Sequence, residues 1–277
     1  MKPIEAWGAL KQNKMALAGL FVIAALVVLA LIGPWIAPYN PLIPDPIHRL
    51  QTPSWAHPFG TDSLGRDIVS RIIYGSRISI IIGLIAVSIS LIPGTILGLL
   101  AGFYGKRVDE PIMRLMDILL AFPAILLAIF ITAILGPNLL NTMIAVGIVY
   151  IPHYARIVRS TVLSLKEQLF VQAVRSLGGS NLRIIVRHIL PNTLPPIIVY
   201  ATLGMGTAVL QAAALGFLGL GAQPPLPEWG TMLSEGRQYI QNAPHVAAFP
   251  GLFIFILVLG FNLFGDGLRD ILDPSLK

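Results

Sequence analysis

The chain has 277 residues, of which 55% are hydrophobic and only 12% charged. That is about half the charge of an ordinary soluble domain; with a mean hydropathy of +0.78, it excludes a water-soluble enzyme and, equally, a disordered chain. There is no cysteine, so a disulfide framework, a thiol nucleophile and a thiolate metal site are all excluded, and the formal charge of +6 lies between apolar blocks, where membrane topology accounts for it without nucleic acid.

What remains is an all-α polytopic membrane protein, since a transmembrane β-barrel would show short alternating segments instead of long apolar runs. Five stretches lack Asp, Glu, Lys and Arg altogether: 15–44, 78–105, 118–155, 188–227 and 238–265. A short N-terminal segment, 1–15, precedes a transmembrane domain over 16–277. The first span lies near 16–36; the apolar run from Met15 to Ile36 is too long for a signal peptide and no small-x-small cleavage site follows it. The loop 37–77 opens on an extended piece containing Pro38, Pro41, Pro44, Pro46, Pro53 and Pro58. Thr61-Asp62-Ser63 then predicts a helix cap. Leu64, Ile68, Val69, Ile72 and Ile73 follow at helical spacing, as expected of an interfacial helix leading into the second span near 79–104. In that span Gly94, Gly98 and Gly102 recur every four residues and predict a close helix approach. Gly136-Pro137-Asn138 cuts the third stretch into spans near 113–135 and 141–160. Pro191, Pro195, Pro196, Pro224, Pro225 and Pro227 trim the fourth to one span near 197–220. A proline-rich loop over 221–246 and a last span near 247–266 complete a total of six.

Basic residues orient the spans. With the N-terminus inside, 14 of the 19 Lys and Arg residues fall on inner segments and only Arg49, Arg66, Arg71, Arg77 and Arg237 on outer ones. This bias predicts an N-in, C-in topology.

The inner loop over 161–195 is the most informative segment. Apolar residues at 165, 169, 170, 173, 174 and 177 form a helical stripe. Gly178-Gly179 stops that helix and Ser180 can cap a second. There Arg183 and Arg187 share one face and Leu182, Ile185, Val186 and Ile189 the other, and Pro191 limits continuation. Two helices projecting from the inner face suit docking of a cytosolic partner; the plainer reading is an amphipathic surface helix. Gln211 is the one large polar side chain deep in the fifth span, and either bonds a neighbouring helix or, with Thr207, lines a path. Asp62, Arg66, Asp67 and Arg71 read as a solvated, self-paired cluster able to contact an external partner, with a ligand site as the alternative. The five histidines form no metal-ligand cluster, and His153 is read as a packing residue.

Gln172-Ala173-Val174, Gly178 six residues after Gln172, and Leu190-Pro191 reproduce the spacing of the Glu-Ala-Ala loop of bacterial ABC-importer permeases, with Gln172 for Glu and Val174 for Ala. The sequence resembles more narrowly the dipeptide, oligopeptide and nickel permeases, closest to the C-type subunit of a dipeptide importer. The stretches that carry the resemblance are Gly60-Thr61-Asp62-Ser63-Leu64-Gly65-Arg66-Asp67, Ala214 to Gly221, Pro227-Glu228-Trp229-Gly230 and Asn262 to Asp270. The resemblance implies a bacterial inner-membrane subunit forming half of a translocation path for dipeptides or short peptides. It implies four partners: a homologous B-type permease, two ATP-binding subunits and an external substrate-binding protein. It also implies docking of the ATPase at Gln172, Ala173, Gly178, Gly179, Ser180, Arg183, Arg187 and Pro191, and contact of the binding protein with Asp62, Arg66, Asp67, Glu228 and Trp229. No Walker A pattern occurs, so ATP and Mg would be held by the partners and this chain would carry no cofactor and no catalytic residue. Nickel is the alternative cargo. A self-sufficient secondary transporter would need acidic residues near mid-membrane, and an intramembrane enzyme would need paired catalytic groups; the charge-free stretches hold neither.

Overall fold

The computed structural model describes residues 13–272. The described residues form ten α-helices with no strand beyond an isolated bridge between Thr61 and Asp67. Helix α1 (Lys14–Ile36) begins where the Asn13 side chain accepts the amides of Met15 and Ala16 at 3.1 and 3.0 Å, which satisfies two of the orphan donors of the first turn. Helix α2 (Ile68–Tyr104, 37 residues) is capped by Asp67, whose Oδ2 accepts the Ser70 amide at 2.8 Å, and ends at Gly105 with φ +76°. It is one continuous helix that starts after Asp67, so the expected cap at Thr61-Asp62-Ser63 and Leu64 lie in the preceding loop and the rest of the expected interfacial helix is its first turns.

The expected third span differs. It is two helices, α3 (Lys106–Leu120) and α4 (Ala124–Leu135), bent by 91° at their junction. Pro123 disfavours helical geometry at Phe122 and supplies no amide of its own. Helix α3 is amphipathic and is drawn back onto helix α5 (Leu139–Leu165) by Arg159, which grips Asp109 through Nε and Nη2 at 2.5 Å each, and by Arg156 on Asp117 at 2.5 Å. Among the described residues, four helices are long and apolar enough to cross a bilayer, or five if the bent pair counts as one. Helix α5 has the length, 27 residues, but Asn141, His153, Arg156 and Arg159 dilute its apolar character.

Helix α6 (Leu169–Ser176) and helix α7 (Asn181–Ile184) form the loop between α5 and helix α8 (Leu190–Phe217). Pro191 was expected to end a helix here. Instead a π-turn over Ile185–Ile189 joins α7 to α8, with Leu190 N bonded to Ile185 O, and the helix runs through the proline. The wider i→i+5 turn leaves room where the proline ring meets the preceding turn. Helix α9 (Trp229–Gly236) and helix α10 (His245–Leu272) complete the chain.

Between apolar helices in an apolar solvent, association rests on close fit. Gly94, Gly98 and Gly102 supply it between α2 and α5. A Cβ at Gly98 would stand 2.6 Å from Ala155 O, and one at Gly102 2.7 Å from Val162 Cβ. The main core lies where α2, α5, α8, α9 and α10 meet, around Ile72, Val146, Leu215, Trp229 and Leu257. A second cluster (Phe103, Val162, Val171, Ile184 and Ile189) seats the α6–α7 loop at the opposite end of α2 from α9.

Candidate functional site

Three regions carry the side chains singled out by the sequence. At one end of the bundle, the α6–α7 turn is closed by Gly178 at φ +78°, a left-handed conformation that glycine adopts without steric cost. Gly178 N donates to Arg175 O and Gly179 N to Val174 O, each at 3.0 Å, the paired bonds of a Schellman ending. Ser180 caps α7 by accepting the Arg183 amide at 3.4 Å. Gln172, Ala173, Gly178, Ser180, Arg183, Arg187 and Pro191 are exposed and Gly179 is half-buried. Gln172 Nε2 donates to Glu167 O at 3.1 Å. The expected apolar face of the second helix is split. Ile185 and Ile189 are buried, as is Ile184, whereas Val186 is exposed and Leu182 is 71% exposed beside Leu177 at 87%. Leu182 and Val186, four residues apart, stay outside the core and leave an exposed apolar knob close in the chain to Arg183 and Arg187.

At the other end, the loop before α2 wraps around a charge cluster that is not solvated. Arg66 and Arg71 are 2% and 1% exposed, and Asp62 and Asp67 are equally buried. Asp62 Oδ1 accepts the amides of Leu64 and Arg66 at 2.8 and 2.9 Å. Its Oδ2 accepts Arg66 Nε at 2.7 Å and also Arg71 Nη1. Glu235 on α9 closes the square, its Oε2 accepting Arg66 Nη2 at 2.9 Å and Arg71 Nη1 at 2.8 Å. Asp67 stands apart from this square, bonded to Ser70 and to His57 Nδ1 at 3.0 Å. The cluster is self-paired, as its sequence suggests, but desolvated, because α9 and the loop cover it. Glu235 was not singled out in the sequence; it lies 169 residues from Arg66, and no local spacing could link them.

The neighbouring signature residues are equally structural. Trp229 is fully buried and donates Nε1 to Ile72 O at 3.1 Å. Gly75 makes room for it, since a Cβ there would lie 2.6 Å from that nitrogen. Glu228 caps α9, with Oε1 on Gly230 N and Oε2 on Thr231 N, each at 2.7 Å. Burial pushes its carboxyl above the usual range, opposed in part by these bonds. Gly216 from the Ala214–Gly221 stretch sits against Glu228 Oε2, where a Cβ would come within 2.7 Å. Asp62, Arg66, Asp67, Glu228 and Trp229 were expected to touch an external partner; all five are buried, so they offer no surface and instead hold the loop and α9 on the end of α2. The exposed side of this loop carries Ile47 and Trp55.

Between the two ends, α2, α5 and α8 enclose a cavity of 60 Å³ lined by Ser90, Tyr150, Tyr154, Tyr200 and Thr207 among others. Thr207 is half-buried and donates to Leu203 O at 3.3 Å. Gln211 is half-buried one turn further along α8. His153 stacks between Tyr150 and Tyr200, with centroids at 5.5 and 6.4 Å. His153 packs as its sequence suggested, but Tyr150, Tyr154 and Tyr200 were passed over, although Tyr150 and Tyr154 stand four residues apart in a span, where polar groups face protein or water. Among the described residues no group of three His, Asp or Glu side chains could hold a metal ion.

Comparison with known proteins agrees with this architecture. Residues 94–277 match the family described as binding-protein-dependent transport system inner membrane component. Residues 4–53 match the N-terminal transmembrane domain of oligopeptide transport permease C. The chain is 56% identical over 273 residues to a dipeptide transport system permease protein of Alkalihalophilus pseudofirmus, covering 99% of this chain and 90% of that protein. It is 52% identical over 279 residues to a di/tripeptide transport system permease protein of Pseudomonas aeruginosa, covering 99% and 92%. It is 50% identical over 274 residues to a glutathione transport system permease protein of Escherichia coli, covering 99% and 90%. In fold it is similar to a chain of the MetNI methionine ABC transporter in an inward-facing conformation. The TM-score is 0.60 at 20% identity, and the match covers 74% of this chain and 97% of that one.

Proposed function

Because the chain belongs to the binding-protein-dependent transport system inner membrane component family, we propose that it forms half of the translocation path of a bacterial short-peptide importer. The observation that carries the substrate class is what the relatives share. A dipeptide, a di- or tripeptide and glutathione are all short peptides. Its partners are a homologous B-type permease, two ATP-binding subunits and an external binding protein, and ATP with Mg is held by the ATP-binding subunits alone. The exposed apolar knob of Leu177 and Leu182 with its flanking arginines is the surface that docks an ATP-binding subunit, and rigid-body motion of α6 and α7 passes closure to α5 and α8. The chain sits in the inner membrane with both termini inside and crosses it six times, the bent α3–α4 pair and the more polar α5 each counting as a span. That arrangement puts the arginine-bearing α6–α7 loop inside and the buried charge cluster outside, where it shapes the platform under the binding protein.

The test is reconstitution in lipid with the partner permease, both ATPases and the binding protein. Dialanine-loaded binding protein is expected to stimulate ATP hydrolysis and drive dialanine import, whereas this chain alone hydrolyses no ATP. Stimulation by nickel-loaded and not by peptide-loaded binding protein would replace the substrate class, and hydrolysis by this chain alone would overturn the assignment. Topology is tested separately. Cysteines at Ser54 and Gln238 should react with an impermeant thiol reagent in intact cells, and one at Ser176 only after permeabilisation.

A further inference from the structure

Two cavities run along the groove between α5 and α8, and they meet at the same side chains. The cavity of 60 Å³ lies towards the α9 end. One of 520 Å³ lies towards the α6–α7 end, lined by Ile157, Thr161, Asn192 and Arg269 among others. Tyr200 and Leu203 belong to both linings. The larger volume is within the roughly 300–1,000 Å³ of small-ligand sites; the smaller exceeds the roughly 10–15 Å³ that one water needs. Tyr200 therefore stands as the partition between them, held edge-on against Tyr154 with centroids 5.0 Å apart at 84°.

Tyr154 adds a second, independent observation. It is buried, yet its hydroxyl makes no hydrogen bond. Ser90 is its polar neighbour on α2; Ser90 Oγ donates to Ala86 O and Val87 O at 3.1 and 3.0 Å, and no bond joins it to the phenol. A buried hydroxyl left unpaired carries a desolvation cost, and Tyr154 is one of the residues that line the smaller cavity. The packing leaves room for the oxygen. Gly204 even lacks a side chain opposite it, since a Cβ there would come within 2.8 Å of Tyr154 Oη.

We propose that Tyr154 and Tyr200 form a contact point for the transported peptide on this chain: the Tyr154 hydroxyl bonds a peptide amide, and the Tyr200 ring is the door between the two cavities. Phenolic hydroxyls and ring faces engage backbone amides and apolar side chains alike, which suits cargo whose common feature is the peptide unit. When α5 and α8 shift apart, Tyr200 leaves the Tyr154 edge and the two cavities become one run. This inference rests on the short-peptide reading above.

The structure makes the discriminating variant Tyr154→Phe. It removes an oxygen that bonds nothing in the protein, so a purely structural role leaves stability and transport unchanged. The peptide-contact role leaves melting temperature unchanged but lowers the number of dialanine molecules imported per ATP at least fivefold in the reconstituted full complex. Tyr200→Ala is expected to lower that ratio at least as far, and Tyr200→Phe, which keeps the ring, to restore most of it. Unchanged import per ATP in Tyr154→Phe with a working wild type would overturn this inference and leave the peptide assignment standing. A wild type that imports neither dialanine nor trialanine would overturn both.

Discussion

Removal of Asp62 tests the most consequential feature of the loop before α2, its buried charge. In the native chain two guanidinium groups, Arg66 and Arg71, share two carboxylates, Asp62 and Glu235, and only Glu235 retains contact with solvent, at 20% exposure. Asp62→Ala leaves two buried cations facing one carboxylate. Breaking a buried pair by deleting one partner costs about 3–5 kcal/mol. The substitution also strips the acceptor from two backbone amides, Leu64 and the buried Arg66, and a buried donor left unpaired costs about 1–3 kcal/mol. Against a total folding stability of about 5–15 kcal/mol, the change removes about a quarter or more. Denaturation of the purified complex in mixed micelles, followed by tryptophan fluorescence, measures it. Asp62→Ala/Arg71→Met rebalances the charge and should recover a substantial part of the loss. A cost below about 1 kcal/mol, the value of an exposed ion pair, would show that the cluster is solvated and refute the reasoning.

Three further outcomes follow from the same geometry. Gly98→Ala should destabilise the protein by about 1–3 kcal/mol through overpacking of α2 on α5, as read by thermal denaturation, whereas Gly251→Ala, whose nearest neighbour would be 3.4 Å away, should be near neutral. Gly178→Val should weaken co-purification of the ATP-binding subunits and lower transport at normal membrane expression, because φ +78° strains a β-branched residue although nothing lies within 4 Å; Gly178→Asn should be milder, since Asn tolerates that region. Glu228, whose folded pKa burial raises, contributes stability that is complete below its unfolded pKa and is lost as pH rises through the folded one. The wild type should therefore lose stability relative to Glu228→Gln as pH rises above the usual carboxylate range, checked by melting temperatures of both across a rising pH series.

Local spacing in the sequence determined a good deal. Apolar runs placed α1, α2, α5, α8 and α10 to within a few residues of their cores, because a helix satisfies its own backbone from neighbours in the chain. Gly178-Gly179 and Ser180 marked the α6–α7 turn, since a left-handed ending and a cap are properties of single residues. The Gly94, Gly98 and Gly102 stripe announced a close partner, although only the structure identified it as Ala155, Val158 and Val162 on α5. The bend at Pro123 and the π-turn ahead of Pro191 escaped. A proline announces a conflict with the helix, and whether the chain resolves it by breaking or by widening a turn depends on what packs against it. At Pro123, α3 folds back where Asp109 and Asp117 meet α5; at Pro191, Ile184 and Ile189 are held in the core, so the helix continues. The charge cluster and the tyrosine partition belonged wholly to tertiary structure. Arg66 and Arg71 read as solvated because desolvation is decided by the cover, and their cover is α9, more than 150 residues away in the chain. The cavities at Tyr200 exist only in the groove where α5 and α8 lie side by side, a space that no single helix contains.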